Sequence, residues 1–392
     1  MVPIGELVAS PETWNPTRVD GDTAFTYIDL AAVDQSSKLI AAPRQVLARE
    51  APSRARQVVA SRDVLVSTVR PNLNAVAVVP PSLDKAIAST GFCVLRPNPA
   101  QLDSSYLFHW VKTPEFVSHM VRRATGASYP AISDRIVHSS EIPLPTLPEQ
   151  HRVAAILDQA DELRAKRRAA FDHLDLLAHS IFLELFGNPA TNPKGWPCKP
   201  LGQLATKFSD GPFGSNLKSS HYTEDGVRVV RLQNIGVGTF HDTDKAFVSE
   251  QHFESLKKHE CLPGDVLVGT MGDPNLRACV QPEWLPIALN KADCVQIRPD
   301  TTVCNSDYLC ALLNEPETES MAHQLILGQT RLRISMGRLR NLSVPLPPMT
   351  IQTGFSERLR VVQDLGNEAE RSVARLDDLF ASLQHRAFRG EL

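Results

Sequence analysis

Four guanidinium groups and no carboxylate fall within GQTRLRISMGRLRN, Gly328 to Asn341, where Arg331, Arg333, Arg338 and Arg340 alternate with apolar residues. A guanidinium is a rigid fork of donors suited to phosphates, carboxylates and base edges. Arg122 and Arg123 occupy the matching part of the first half of the chain. A tract of this size serves equally well as a solvated face, so it names no partner alone. The net charge of −3 and pI near 6.5 argue against a surface that is basic throughout. Bond-making chemistry finds no constellation. The sequence has no Gly-x-x-x-x-Gly-Lys-Ser/Thr loop, no His-Glu-x-x-His helix and no Gly-x-Ser-x-Gly elbow. Gly236-Val-Gly238 lacks the third glycine of a dinucleotide loop and reads as a turn, and no Asp/Asn-Pro-Pro-Tyr/Phe segment of an amino-methyltransferase is present. Seven cysteines, an odd number without a Cys-x-x-Cys pair, predict buried thiols rather than a disulfide framework.

Whatever these side chains contact, a duplicated scaffold must place them. EIPLPTLPEQHRVAAILDQADELRAKRRAAFDHLDLLAHSIFLELFG, residues 141–187, returns as SVPLPPMTIQTGFSERLRVVQDLGNEAERSVARLDDLFASLQHRAFRG, residues 343–390, at a constant offset of 202 from Pro143 to Pro345 and from Leu174 to Leu376. Each copy opens on a proline-rich linker and becomes helical; Thr146 to Glu149 has capping-box spacing, and Gly187-Asn188-Pro189 ends the first helix. Val153, Ile156, Ala160, Leu163, Ala170, Leu174, Leu177 and Ile181 form one narrow apolar stripe. Phe355, Leu359, Val362, Leu365, Ala369, Leu376, Leu379 and Leu383 form its counterpart, with Gly366 as a weak point where a kink is expected. If the stripes pair, the second helix must run back along the first, so the expected pair is an antiparallel coiled coil.

The repeat extends upstream. Residues 1–140 read as mixed α/β, with strands at Phe25 to Leu30, Asp63 to Val69, Ala75 to Val79 and Gly91 to Leu95 and helical spacing from Tyr106 to Arg123 restarting at Pro114. Residues 188–342 repeat that order, Asp265 to Thr270 answering Asp63 to Thr68 and Tyr308 answering Tyr106. The expected architecture is α+β: two duplicated mixed domains, 1–140 and 188–342, joined by helices within 141–187 and 343–392 and related by a pseudo-two-fold axis. The loop Asp210 to Asn216 has no clear counterpart in the first domain, so the copies differ where loops do. No apolar run spans a membrane and the N-terminus has no signal-like pattern, which predicts a cytoplasmic protein.

These segments resemble the specificity (S) subunits of type I restriction-modification systems. The match covers the whole chain and is carried by IPLPTLPEQHRVAAILDQADELR with SIFLELFG, by DGPFGSNLKSSHYTEDGVRVVRLQNIG, Asp210 to Gly236, and by the closing SLQHRAFRGEL. The resemblance implies two target-recognition domains, each reading half of a bipartite site on double-stranded DNA, and two spacer helices that set the half-site separation and dock two methyltransferase (M) subunits. It also implies a non-catalytic chain without its own cofactor. S-adenosylmethionine is expected on the M subunits, and ATP and Mg on the restriction (R) subunits of a restricting assembly.

On that resemblance the candidate DNA contacts in the second domain are Phe213, Ser215, Asn216 and Lys218 in the glycine-proline loop, Gln233 and Asn234, and Gln329, Arg331 and Arg333. In the first domain they are Arg70 and Asn72 after a strand, with Ser128, Tyr129 and Ser133. Asn, Gln and Arg can bond bidentately to adenine or guanine edges, which is the reason for choosing them. A duplicated coiled-coil scaffold that binds only proteins is the alternative reading, which a neighbouring adenine-methyltransferase gene would argue against. An enzyme with an unrecognised site is the other.

Overall fold

A computed structural model describes residues 1–272, 274–323, 325–327 and 333–392, with the side chains of Asp172, Asp175, Ile326 and Leu327 left aside. The chain divides into two compact units, Met1–Ala170 with Ala369–Leu392, and Phe171–Glu368. Both boundaries fall inside long helices, Leu147–Phe186 and Met349–Ala387, so each unit contains a globular domain and one part of each helix. Among the described residues no helix is long and apolar enough to cross a membrane.

In the first unit, Val64–Ser67 lies at the middle of a four-stranded antiparallel sheet between Phe92–Pro97 and Val76–Val78, with Val8–Ala9 on the far edge. A five-stranded sheet runs in the order Glu12–Thr13, Ala55–Val58, Ile87–Ser89, Ala24–Ile28, Arg44–Leu47, with one parallel pair, Ala24–Ile28 beside Ile87–Ser89. The second unit repeats both sheets. Val266–Gly269 lies between Cys294–Pro299 and Arg277–Val280, and the single parallel pair is Val227–Val230 beside Ala288–Asn290. The five-stranded sheets differ at their edges. The extra strand Glu12–Thr13 joins beside Ala55–Val58 in the first unit, whereas Tyr222–Thr223 joins beside Phe247–Val248 in the second.

The expected strands at Phe25, Asp63, Ala75 and Gly91 are present as Ala24–Ile28, Val64–Ser67, Val76–Val78 and Phe92–Pro97, with ends shifted by one or two residues, and Pro114 starts a second helix, Pro114–Arg123, after Ser104–Val111. The strands Arg44–Leu47, Ala55–Val58 and Ile87–Ser89 are additional. The last long helix runs through Gly366 without a break, so the expected weak point does not interrupt it.

Identical devices fix each domain to its helices. Gln150 is fully buried; its Nε2 donates to the Gln101 and Pro145 carbonyls (3.0 Å each) and its Oε1 accepts from the Asp103 amide (2.9 Å). Gln352, 202 residues on, does the same with the Val303 and Pro347 carbonyls (3.1 and 2.7 Å) and the Asn305 amide (2.8 Å). Tyr106 Oη donates to the Pro143 carbonyl (3.0 Å), and Tyr308 Oη to that of Pro345 (2.7 Å). The buried carboxylates Asp63 and Asp265 accept from Arg96 (2.8 Å) and Arg298 (2.8 Å).

The helix stripes need correction. Val153, Phe355 and Val362 are buried as expected and Leu157, Phe182, Phe186, Phe380 and Gln384 join them, whereas Leu163, Ala170, Leu177, Leu365 and Leu379 are exposed. The buried positions cluster toward the helix ends, where they meet the globular domains. In the first unit Phe388 packs on Tyr106 and Trp110 (ring centroids 5.1 Å from each), and in the second Phe186 packs on Tyr308 (4.7 Å) and Phe355 (5.2 Å). Within each unit the two helix segments run antiparallel, with Arg164 Nε donating to Asp377 Oδ1 (2.7 Å) in one and Phe182 against Phe355 (5.9 Å) in the other. Six cysteines are buried as expected, but Cys198 is exposed because it lies on the edge strand Cys198–Pro200.

Removing a buried amide leaves two carbonyls and one N–H without partners, each costing about 1–3 kcal/mol. Gln352→Leu and Gln150→Leu are each expected to lower the unfolding free energy by roughly 3 kcal/mol or more. Earlier urea midpoints would register that loss, and unchanged midpoints would remove these residues from the framework.

Candidate functional site

In the second unit four strand ends meet along one edge. Ala205–Asp210 runs into the glycine-proline loop, Val227–Val230 into Arg231–Asn234, Val266–Gly269 into Thr270-Met271, and Ala288–Asn290 into Lys291–Asp293. Their backbones are locked together: Lys291 N donates to the Val230 carbonyl (3.1 Å), Thr270 Oγ1 to that of Asp293 (3.0 Å), and Ile334 N to that of Thr270 (3.1 Å). Gly211 lies so close to Lys291 that a Cβ would stand 2.0 Å from its carbonyl carbon, which leaves no room for a side chain there.

Cations and rings line this ledge. Arg333 lies over Phe213 (5.3 Å to the ring centroid) with Nη1 3.2 Å from Asp293 Oδ1. Lys291 and Arg231 lie over Tyr222 (5.5 and 5.9 Å), and Arg231 also pairs with Asp244. Phe213, Ser215, Asn216, Lys218 and Gln233 are exposed. Asn234 is not available to a ligand: it is fully buried, its Nδ2 donates to the His241 and Asp244 carbonyls (2.9 and 2.8 Å), and its Oδ1 accepts from the Arg231 amide (2.9 Å). That amide organises the loop, which corrects its place among the expected contacts. Gln329 and Arg331 lie outside the described residues.

The first unit has the equivalent ledge, built differently. Ala131 bridges both Val69 and Thr125, and the Ile132 amide donates to the Thr68 carbonyl (2.9 Å), as Ile334 does to Thr270. Arg70 adopts a left-handed backbone (φ 50°), donates its amide to the Pro130 carbonyl (2.7 Å), and places its guanidinium 4.7 Å from the Tyr129 ring centroid. Asn72 and Ser128 are exposed on the adjoining turns, and Ser133 is exposed at the start of Asp134–His138 without a capping bond. The structure therefore joins Arg70 with Tyr129, and Phe213 with Arg333, from separate stretches of sequence.

Sequence reasoning missed Lys291, Tyr222, Arg231 and, in the first unit, Lys38, whose Nζ donates to the Asn74 carbonyl (2.6 Å). Lys291 reaches the ledge through the parallel pairing of its strand with Val227–Val230, a non-local register that no local pattern reveals. Tyr222 and Arg231 do lie in the diagnostic segment from Asp210 to Gly236. Among the described residues no group of three or more His, Cys, Asp or Glu side chains is arranged to hold a metal ion.

Three histidines hold the backbone of the glycine-proline loop. His259 Nδ1 donates to the Asp210 carbonyl (2.6 Å), His252 Nε2 to that of Asn216 (3.0 Å), and His221 Nδ1 accepts from the Lys218 amide (3.2 Å). The His221 and His252 rings are 4.2 Å apart. Burial pulls the pKa of His259 down by more than its bond to Asp210 raises it. The folded protein thus binds fewer protons than the unfolded chain, so this stability is complete above the unfolded value of about 6.5 and is lost as pH falls below it.

Comparison with known proteins places these features. Residues 62–170 match the family described as Type I restriction modification DNA specificity domain. The chain is 23% identical over 294 residues to the type I restriction enzyme MjaVIII specificity subunit of Methanocaldococcus jannaschii, covering 72% of this chain and 68% of that one. It is 20% identical over 337 residues to the EcoBI specificity subunit of Escherichia coli, covering 79% and 70%. A solved chain from work on complex assembly and conformational transition of the type I R-M system superposes with a TM-score of 0.66 at 29% identity, covering 100% of this chain and 97% of that one.

Acidification from about pH 7 to pH 5 is expected to speed amide hydrogen exchange in Gly211 to Lys218 beyond the intrinsic change in exchange rate. Protection that stays constant across this range would show that protonation of His259 is not coupled to the order of the loop.

Proposed function

Because this chain belongs to the specificity subunits of type I restriction-modification systems, we propose that its domains, 1–140 and 188–342, each read one half of a bipartite site on double-stranded DNA. The chain is the DNA-recognition subunit, and the finer division of labour follows from its duplication. The observation that carries the reading is a scaffold kept constant beneath ledges that differ. Gln150 and Gln352, like Tyr106 and Tyr308, occupy equivalent positions with equivalent bonds. Above them Arg70 corresponds to Gly272 and Arg333 to Ala131 by the repeat offset, so the exposed chemistry has diverged. Two unlike reading surfaces on one framework suit a target whose halves differ in sequence.

The reading residues are Arg70, Asn72, Ser128, Tyr129 and Ser133 in one domain, and Phe213, Ser215, Asn216, Lys218, Gln233, Gln329, Arg331 and Arg333 in the other. The helices act as a ruler. A helix of 40 residues extends about 60 Å at 1.5 Å per residue, so half-site spacing follows helix length. They also dock two M subunits, a role favoured by the exposed Leu163, Leu176, Leu177, Val361, Leu365 and Leu379 on otherwise polar helix surfaces. The M subunits carry S-adenosylmethionine and transfer the methyl group, R subunits carry ATP and Mg, and this chain catalyses nothing. Partner subunits that clamp the phosphate backbone would reconcile a net charge of −3 with DNA binding.

Deleting this chain from cells that hold the system is expected to abolish one bipartite methyladenine motif and leave all others, as read by methylome sequencing. An unchanged set of motifs in an otherwise active system would overturn the assignment.

A further inference from the structure

Each unit presents a guanidinium against an exposed aromatic ring on its ledge, and the two pairs are not copies of each other. In the first, Arg70 follows the strand Val64–Ser67 and Tyr129 comes from the crossing segment. In the second the roles are exchanged: Arg333 sits in the crossing segment, bridged to Met271, and the ring of Phe213 is supplied by the loop that the first domain lacks. Duplication alone would have produced the same residues at the same offset. The same chemistry has instead been assembled twice at one place in the fold.

Neither pair has a structural task that explains it. Tyr129 is 69% exposed and Phe213 is 42% exposed, so each ring gives up burial that an interior site would provide. A cation over a ring at an exposed site stabilises a fold only slightly. Among the described residues no carboxylate pairs with Arg70, and the close acidic neighbour of Arg333 is Asp293, whose Oδ1 lies 3.2 Å from Nη1. Each guanidinium is thus restrained by a ring, and among the described residues no hydrogen-bond acceptor takes up the fork of either. Restraint before binding removes part of the side-chain entropy that a free arginine loses on contact.

We propose that Arg70, positioned by Tyr129, and Arg333, positioned by Phe213 and Asp293, are the guanine-reading side chains of the two half-sites, each fork meeting the O6 and N7 acceptors of one guanine in the major groove. This rests on the function proposed above and specifies it: each half-site contains a G·C pair whose purine is read by the arginine of its domain. Tyr129 and Phe213 are positioning residues.

The test uses the complex of the full chain with its M subunits and a duplex carrying the methylome-defined motif, in which each guanine is replaced in turn by 7-deazaguanine, which lacks the N7 acceptor. In each half-site one replacement is expected to weaken binding by roughly 5- to 150-fold. The Arg70→Met complex, whose side chain has no donor, should show no further loss at that position in one half-site, and Arg333→Met none in the other. Tyr129→Phe and Phe213→Tyr keep a ring and should retain discrimination, whereas Tyr129→Leu and Phe213→Leu should lose it at the same single position; affinity for unrelated duplex should be unchanged in these four ring variants. Discrimination that survives both methionine substitutions at every position, or a half-site with no guanine on either strand, would overturn the proposal while leaving DNA recognition in place. A wild-type complex that binds target and scrambled duplex equally would overturn both.

Discussion

The structure depends on a reciprocal exchange of helix ends. Tyr308 in the second domain is packed by Phe186, from the end of the first repeat's helix, and Tyr106 in the first domain by Phe388, from the end of the second repeat's helix. The two phenylalanines are 202 residues apart, as are the two tyrosines. An aromatic side chain buries a large apolar area, so neither domain completes its core from its own repeat alone. The long helices are therefore integral to both cores. The buried glutamines and tyrosines then fix the direction in which each helix leaves its domain, because an unsatisfied amide or hydroxyl there would be costly.

Rigidity in that framework frees the opposite edges to vary. The strands that hold the ledges are pinned by backbone bonds such as Ile132 to Thr68 and Ile334 to Thr270, which make no demand on side-chain identity. Side chains above them can change without disturbing the register. The extra strands beside Ala55–Val58 and Phe247–Val248 show the same freedom at the level of whole elements. The helix contacts differ as well. The first domain meets its helix through Lys112 with Asp161 and through His109, whose Nε2 donates to Asp158 Oδ1 (2.7 Å), whereas the second uses His179 with Glu315 (2.9 Å).

The duplication, the strand Val64–Ser67 with its counterpart, and the two long helices were legible because each has a local signature: constant spacing, β-branched runs, or proline before and glycine after an apolar period. The buried face of the helices was not. A single stripe assumes one partner along the whole length, but Leu157, Phe186 and Phe380 face globular domains while Leu163, Leu177 and Leu379 face outward. The ledges were legible only in part. Phe213 and Arg70 announce themselves beside turn residues, yet that Arg333 meets Phe213 and that Lys291 reaches Tyr222 depends on pairings between distant strands. Asn234 misled because an amide in a turn has the same composition whether it faces a ligand or its own loop.

The short pair Val2–Pro3 with Glu141–Ile142 has a twin in Cys198–Pro200 with Ser343–Pro345. In each case the polypeptide arrives at and departs from a domain through hydrogen-bonded neighbours, so the domain hangs from a closed clasp. Any segment that folds with its two ends side by side could be spliced into that clasp without redirecting the chain on either side, and insertions or wholesale replacements between the clasped ends would leave the helical framework undisturbed.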